Sequence, residues 1–392
     1  MDIQKLRTET PGTSYHIHLN NAGASLPPLS VTSAVLQYLN EEALHGGYET
    51  AAAKSDEING FYSACAQMLH ARANQIVFAG SATEAYNKAL SSIPFIAGDV
   101  LLTTDDDYSS NQIAFLFLEK RFGIKTIRAG KLPQGGVDVQ SVEDLIKKHH
   151  PKLVAVTHVP TNSGLVQNIE SIGKLCKEHG IWYLVDACQS AGQMSLDVQK
   201  IGCDFLSATM RKWLRGPRGA GFLYVSDRAL AAGLEPIYPD LSGADWTAAN
   251  HYEYLDNALR FGYWEKNYAL MIGSKAAIEY AMQLGLDNIE TEVNKLAGYA
   301  REQLSALPGW EVLDRGTKKC GIVTAHHTTG SPSHFSRALA SANIHAGFAQ
   351  TSNAVIDFTE KGVKWALRVS PHYYNTKEEV DALVDALAKT KL

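Results

Sequence analysis

No stretch of this 392-residue chain approaches the roughly 20 consecutive apolar residues that a membrane-spanning helix requires. Basic residues are in no excess: 36 Lys and Arg stand against 41 Asp and Glu, a formal net charge of -5. That balance excludes the concentrated positive surface that nucleic acids and anionic membranes demand. Cysteine is sparse, with five scattered thiols (Cys65, Cys176, Cys188, Cys203, Cys320) and no CxxC spacing. Neither a disulfide framework nor a structural metal site follows, and the thiols are expected to be reduced and buried. Together with the lack of a positive-apolar-small opening, this predicts a cytoplasmic protein. Internal repeats and low-complexity tracts are also missing.

What is present is ordinary globular composition, 45% hydrophobic and 20% charged, in a chain long enough for a large core and a smaller satellite. Short apolar runs alternate with helical patterns through its middle. Strands are predicted at 75–78, 100–104, 152–159, 181–185, 204–208 and 221–225, with helices from about Thr83, from about Asn111 and over 169–179. Near-continuous apolar strands separated by helices indicate an α/β sheet, mostly parallel and covered on both faces. Beyond residue 259 the texture changes to long helices (269–284, 289–307), strands (310–313, 321–325, 363–369) and helices (333–342, 377–389). The expected division is a large domain, 16–258, and a small α+β domain formed by 1–15 and 259–392.

Ligands of parallel sheets sit beyond the carboxyl ends of the strands. Asp186, Thr209 and Lys212 fall at such ends, as does the 157–162 segment that contains Thr161. A buried carboxylate near a lysine is the pair needed for pyridoxal 5′-phosphate (PLP) chemistry. The amine carries the aldehyde as a Schiff base, and the acid keeps the pyridine nitrogen protonated. Lys212 lies in Arg-Lys-Trp-Leu-Arg-Gly-Pro-Arg-Gly, where Arg211, Arg215 and Arg218 are expected to disfavour its protonated form. The competing reading is a solvated basic loop, which would not need Trp213 and several glycines between two buried strands. Asp186 taken alone is equally a helix cap.

Gly80-Ser81-Ala82-Thr83-Glu84 joins a strand to a helix, so its N–H groups and hydroxyls suit a phosphate, although Ser81 and Glu84 also form a plain capping box. Gln189 is placed to donate to a phenolic oxygen. Tyr108, just past a strand end, offers a ring to stack on a flat cofactor. Arg368, inside the apolar run 365–369, needs an anion: a substrate carboxylate or an internal ion pair. The turn Asn21-Ala22-Gly23-Ala24 is suited to lie against a ligand.

In this order these segments resemble the class V group of fold-type I PLP-dependent enzymes, which includes cysteine desulfurases, isopenicillin N epimerase-like proteins and related lyases. The likeness runs from Leu19-Asn20-Asn21-Ala22-Gly23 through Ala82-Thr83-Glu84-Ala85, Asp186-Ala187-Cys188-Gln189 and Arg211-Lys212 to Leu367-Arg368-Val369-Ser370. The resemblance implies a seven-stranded-type sheet and a homodimer. It makes Lys212 the PLP lysine, Asp186 the partner of the ring nitrogen and Gln189 the donor to the phenolic oxygen. Ala82, Thr83 and Thr209 hold phosphate, Thr161 joins the cofactor contacts, and Tyr108 takes the place of a stacking histidine. Arg368 receives the substrate carboxylate, with Ala22 and Gly23 beside it.

Three departures stand out. The segment 346–352, expected as a loop, carries no thiol where desulfurases have a nucleophilic cysteine, and no other cysteine is expected to serve. Arg211 replaces a histidine before the lysine. Glu265 stands where the second subunit usually offers a threonine to the phosphate. The runs around Lys212, 157–164 and 370–376 look most like a branch containing hercynylcysteine sulfoxide lyase and broadly defined class V aminotransferases. The expected reaction is C–S β-elimination from a cysteine conjugate or sulfoxide, releasing pyruvate and ammonia. Transamination is the alternative, and then racemisation or epimerisation with Tyr108 or His345 as opposing acid. Tyr48, His345, Phe348, Gln350 and His372 are candidate substrate contacts, with His372 and His158 also suited to structural roles.

Overall fold

The computed structural model describes residues 1–391. Its centre is a seven-stranded sheet of β1 (Ile76–Ala79), β2 (Val100–Thr103), β3 (Lys125–Arg128), β4 (Leu153–Thr157), β5 (Trp182–Asp186), β6 (Phe205–Thr209) and β7 (Gly221–Val225), in the order β1-β7-β6-β5-β4-β2-β3. β3, β2, β4, β5 and β6 pair in parallel, whereas β7 runs antiparallel to both neighbours. The continuous apolar runs have a direct cause. Ile76, Phe78, Val154, Val156, Val185, Leu206 and Phe222 enter one core, while Val77, Ala79, Leu153, Ala155, Leu184, Phe205 and Leu223 enter another. Successive strand residues face opposite ways, so a sheet with two covered faces selects apolar residues at every position.

The strand expected at 75–78 lies one residue later, at Ile76–Ala79, and the one expected at 152–159 shortens to Leu153–Thr157. β3 escaped prediction because Lys125-Thr126-Ile127-Arg128 is a half-exposed edge with no apolar run. The exposed hairpin of Ala244–Ala248 and His251–Tyr254 went unseen for the same reason.

A second, antiparallel sheet of β8 (Trp310–Val312), β9 (Val323–His327), β10 (Gly347–Gln350) and β11 (Trp365–Val369) has the order β8-β9-β11-β10. It packs on Leu286–Ala306, Pro332–Ser341 and Lys377–Ala388 through a core including Leu304, Phe335, Leu367 and Leu383. The segment expected as a loop at 346–352 is therefore mostly strand: β10 pairs with β11 before a short turn, Thr351–Asn353. Helix Tyr268–Leu284, which a boundary at 258 assigns to the smaller unit, contributes Met271, Ala277 and Ile278 to the core of the large sheet.

The helix Ile169–Glu178 lies so close to the short helix Val198–Ile201 that a Cβ on Gly173 would fall 1.7 Å from the Ile201 carbonyl oxygen. Gly173→Ala therefore lowers stability by about 1–3 kcal/mol through overpacking, although glycine-to-alanine in an exposed helix gains up to about 1 kcal/mol. A fall in the urea midpoint is the expected result, and a rise would contradict this packing.

Candidate active site

β7 begins where β1 and β6 end: Gly221 pairs with both Ala79 and Thr209. Thr157 and Asp186 likewise sit side by side at the ends of β4 and β5. The reversal of β7 thus collects the Gly80–Thr83 turn, Asp186, Thr209–Lys212 and Arg218–Ala220 at one sheet edge. They line a cavity of about 290 Å³, together with Tyr108, Thr157, Val159, Thr161, Cys188 and Gln189. Gly221 is required for this convergence. A Cβ there would lie 2.7 Å from the Ala208 carbonyl oxygen and 2.9 Å from the Ala82 nitrogen.

Lys212 is 8% exposed and its amine makes no hydrogen bond or ion pair among the described residues. Burial holds its pKa below the ordinary lysine value; Cys188 and Asp186 oppose this, while Arg211 and Arg368 reinforce it. The depression expected from clustered cations is present, but burial leads it, and Arg215 has a different task. It is fully buried, donating to the Leu26 carbonyl oxygen (2.8 Å), the Tyr373 hydroxyl (2.8 Å) and Thr10 Oγ1 (2.5 Å). The segment is not a solvated basic loop.

Asp186 is 4% exposed. One carboxylate oxygen accepts from the Cys188 N–H (2.9 Å) and the other from Asn111 Nδ2 (3.1 Å). Asn111 was invisible in the sequence, because only tertiary packing brings helix Ser109–Phe122 over β5. Behind it, Thr157 donates to Asp107, which also accepts from Thr103. Burial lifts the Asp107 carboxyl to about 6, with a smaller push from Asp186.

At the turn, Ser81 Oγ accepts from the Glu84 N–H (3.1 Å) and the Gly80 N–H donates to Glu84 Oε2 (2.9 Å). Capping thus occupies Ser81 and Glu84, while the N–H groups of Ala82 and Thr83 at the start of helix Ala82–Ser92 remain for an anion. Thr209, Arg211 and Arg218 border the same space.

Gln189 is fixed from both ends. Its Oε1 accepts from Trp213 Nε1 (2.8 Å), and its Nε2 donates to the Ala22 carbonyl oxygen (3.0 Å) and Thr161 Oγ1 (2.7 Å). Both amide protons expected for the phenolic oxygen are therefore engaged. Thr161 Oγ1 also accepts from Arg368 Nη1 (3.1 Å), which leaves its own proton as a donor in the cavity wall. Tyr108 lines the cavity at the start of helix Ser109–Phe122.

Arg368 Nη1 also reaches the Thr161 carbonyl oxygen (3.1 Å), and Nη2 reaches Asn20 Oδ1 (3.1 Å). Its Nε is buried without a partner, and among the described residues the guanidinium meets only Thr161 and Asn20, not a carboxylate. The internal ion pair is thereby excluded. Burial, then Arg211, lowers its pKa to about 10. Gly23 sits against this group: a Cβ there would lie 2.8 Å from Asn20 Oδ1.

Several candidates fall elsewhere. His372 is wholly buried, with Nε2 on the Trp213 carbonyl oxygen (3.0 Å) and Nδ1 accepting from the Tyr373 N–H (2.9 Å), a structural role. Tyr48 is exposed on helix Gly47–Ala53. His345 packs with His16 and His18 rather than in the cavity wall. His158 is buried, which lowers its pKa to about 3. Glu265 lies on the exposed 263–265 segment. Of the cysteines, Cys188 does line the cavity, but burial and Asp186 push its pKa far up, so it is a thiol rather than a nucleophilic thiolate.

An unpartnered buried amine, a doubly anchored carboxylate and a helix-start anion cradle in one cavity fit PLP and define a PLP-dependent fold-type I protein. The aminotransferase class-V profile matches residues 17–383, and the chain belongs to that family. PLP is the cofactor this membership assigns. A probable cysteine desulfurase of Methanothermobacter thermautotrophicus is 28% identical over 394 residues, covering 99% of this chain and 98% of the relative. A probable hercynylcysteine sulfoxide lyase of Mycobacterium tuberculosis is 26% identical, covering 95% and 89%. The apo structure of a cysteine desulfurase from Thermococcus onnurineus superposes with a TM-score of 0.91 at 26% identity, covering 98% and 97%.

Arg368→Lys keeps the charge but loses the planar fork. It is expected to raise KM for an amino-acid substrate by roughly 10-fold or more, with a smaller change in kcat. An unchanged KM in steady-state kinetics would remove Arg368 from the substrate site.

Proposed function

We propose that this protein is a PLP-dependent carbon–sulfur lyase that eliminates the sulfur substituent of a cysteine conjugate or cysteine sulfoxide. The observation that carries this reading is the unpartnered Lys212 amine in the cavity wall together with Arg368, a cation lacking a carboxylate that is hydrogen-bonded to Thr161 of the same wall. Such a site is built for an α-amino acid. When bound, PLP supplies an electron-accepting ring that stabilises negative charge at the amino-acid Cα.

The chain's own groups divide the remaining work. Arg368 grips the α-carboxylate, and Asp186, held by Asn111 and the Cys188 N–H, keeps a proton on the ring nitrogen. Ala82, Thr83 and Thr209 anchor the phosphate. Thr161 donates to the phenolic oxygen, supported by Gln189. Tyr108 covers the ring face. Lys212 Nζ takes the α-proton, and burial, by lowering its pKa, eases release of the amine's own proton. The Cβ–S bond then breaks, with its electron pair leaving on sulfur. Addition of one water returns pyruvate and ammonia, together with a thiol from a thioether or a sulfenic acid from a sulfoxide.

Two further features support a conjugate rather than free cysteine. Strand β10 and its turn carry no thiol to receive sulfur. Thr161 also borders a second cavity of about 390 Å³, lined by Ile113, Leu116, Asn162, Val355 and Ile356, which gives room for a larger sulfur substituent. The relative named for hercynylcysteine sulfoxide favours the sulfoxide class. The reading includes a homodimer, supported by exposed Trp246 (78%), Trp264 (54%), Tyr238 and Leu241. A cytoplasmic location also belongs to it.

Anaerobic turnover of a panel of S-substituted cysteines and their sulfoxides tests it. Pyruvate and ammonia in equal amounts are expected, with bulky S-substituents preferred over free cysteine. A keto acid that retains the substrate's side chain would establish transamination instead.

A further inference from the structure

Away from the cofactor cavity, three imidazoles meet on one face of a two-strand ribbon. Ile17–His18 pairs in parallel with Ile344–His345, with His18 opposite His345. Residues two apart in extended chain point the same way, so His16 shares the face of His18, and register brings His345 to it. The rings of His16 and His345 stack at 4.1 Å between centroids, with His18 edge-on at 5.8 and 6.0 Å. One ring nitrogen from each lies within 4.8 Å of the others.

The hydrogen bonding of His18 is what separates this cluster from ordinary packing. Its Nε2 lies 2.7 Å from the Ala24 carbonyl oxygen. A carbonyl only accepts, so Nε2 carries the proton and Nδ1 is left with a bare lone pair. That Nδ1 is buried and has no partner. His372 shows how this chain completes a structural histidine: one nitrogen meets a carbonyl and the other accepts a backbone N–H. His18 has the first contact and lacks the second. An imidazole fixed through a backbone carbonyl, with its other lone pair free, is the arrangement of a metal-ligating histidine.

We infer that His16, His18 and His345 form a binding site for a divalent transition-metal ion of the zinc class, with the fourth coordination position open to solvent. Three imidazoles and one open position match tetrahedral zinc, and imidazole selects such ions over magnesium or calcium. Zn–N bonds of about 2.0–2.1 Å in a tetrahedron bring ligand nitrogens to roughly 3.3 Å of one another. Rotation of the exposed His345 and half-buried His16 side chains supplies that closure. The site is not remote from the proposed chemistry: Asn20, two residues past His18, accepts from Arg368, and Gly347, two past His345, pairs with Arg368.

The test uses holoenzyme freed of metal by chelator and dialysis, titrated with Zn²⁺ in a calorimeter and with Co²⁺ by visible absorption. One ion per chain is expected, with the intense Co²⁺ bands of a tetrahedral site. His345→Ala and His16→Ala, both outside the core, should each weaken binding by about 10-fold or more. Circular dichroism of each variant verifies its fold. No saturable binding, or equal binding by the His345→Ala variant and the parent (an adventitious ion only), would overturn the assignment.

Discussion

A primary amine buried beside a carboxylate at the rim of an apolar sheet constrains the architecture around it. Lys212 and Asp186 are both nearly inaccessible, and they stand on adjacent strand ends without touching. Two buried charges cost several kcal/mol each unless they are compensated. Asp186 meets that cost with two donors, one from the backbone at Cys188 and one from Asn111. At Lys212 the same cost shows as a pKa lowered by burial. Burial thus makes protonation of this lysine less favourable than that of an exposed one.

The supporting structure serves that arrangement. Reversal of β7 brings Gly221 against the Gly80–Thr83 turn, which a side chain would push away. Arg215, at a left-handed φ of 60°, turns back from the cavity to tie the Lys212 segment to Thr10, Leu26 and Tyr373. The loop that carries Lys212 is thus clamped by a buried cation outside the cavity lining. The Trp213–Gln189–Thr161–Arg368 chain links the lysine loop, the turn after β5, the 157–162 segment and β11 in one hydrogen-bonded line. In the proposed function this line joins the residues that contact the cofactor to the one that contacts the substrate.

Much of this was legible in the sequence because it rests on local rules. Continuous apolar runs gave the doubly covered sheet, and strand-end positions gave Asp186, Thr209 and Lys212. An arginine within an apolar strand announced Arg368. What escaped depends on distant segments meeting. Asn111 and Thr157 reach Asp186 and Asp107 only through tertiary packing, and Gln189 is turned by an indole more than twenty residues away. The role of Arg215 was misread because adjacency in sequence says nothing of direction. β10 was missed as a strand because Gly347-Phe348-Ala349-Gln350 has no distinctive pattern of its own and is held by pairing with β11.

The central claim is a covalent one, and chemistry can read it directly. Borohydride reduction of the holoenzyme followed by peptide mass mapping should place a single pyridoxyl-phosphate adduct on the peptide containing Lys212. An adduct on another lysine, or a cofactor that washes away unreduced, would contradict the account.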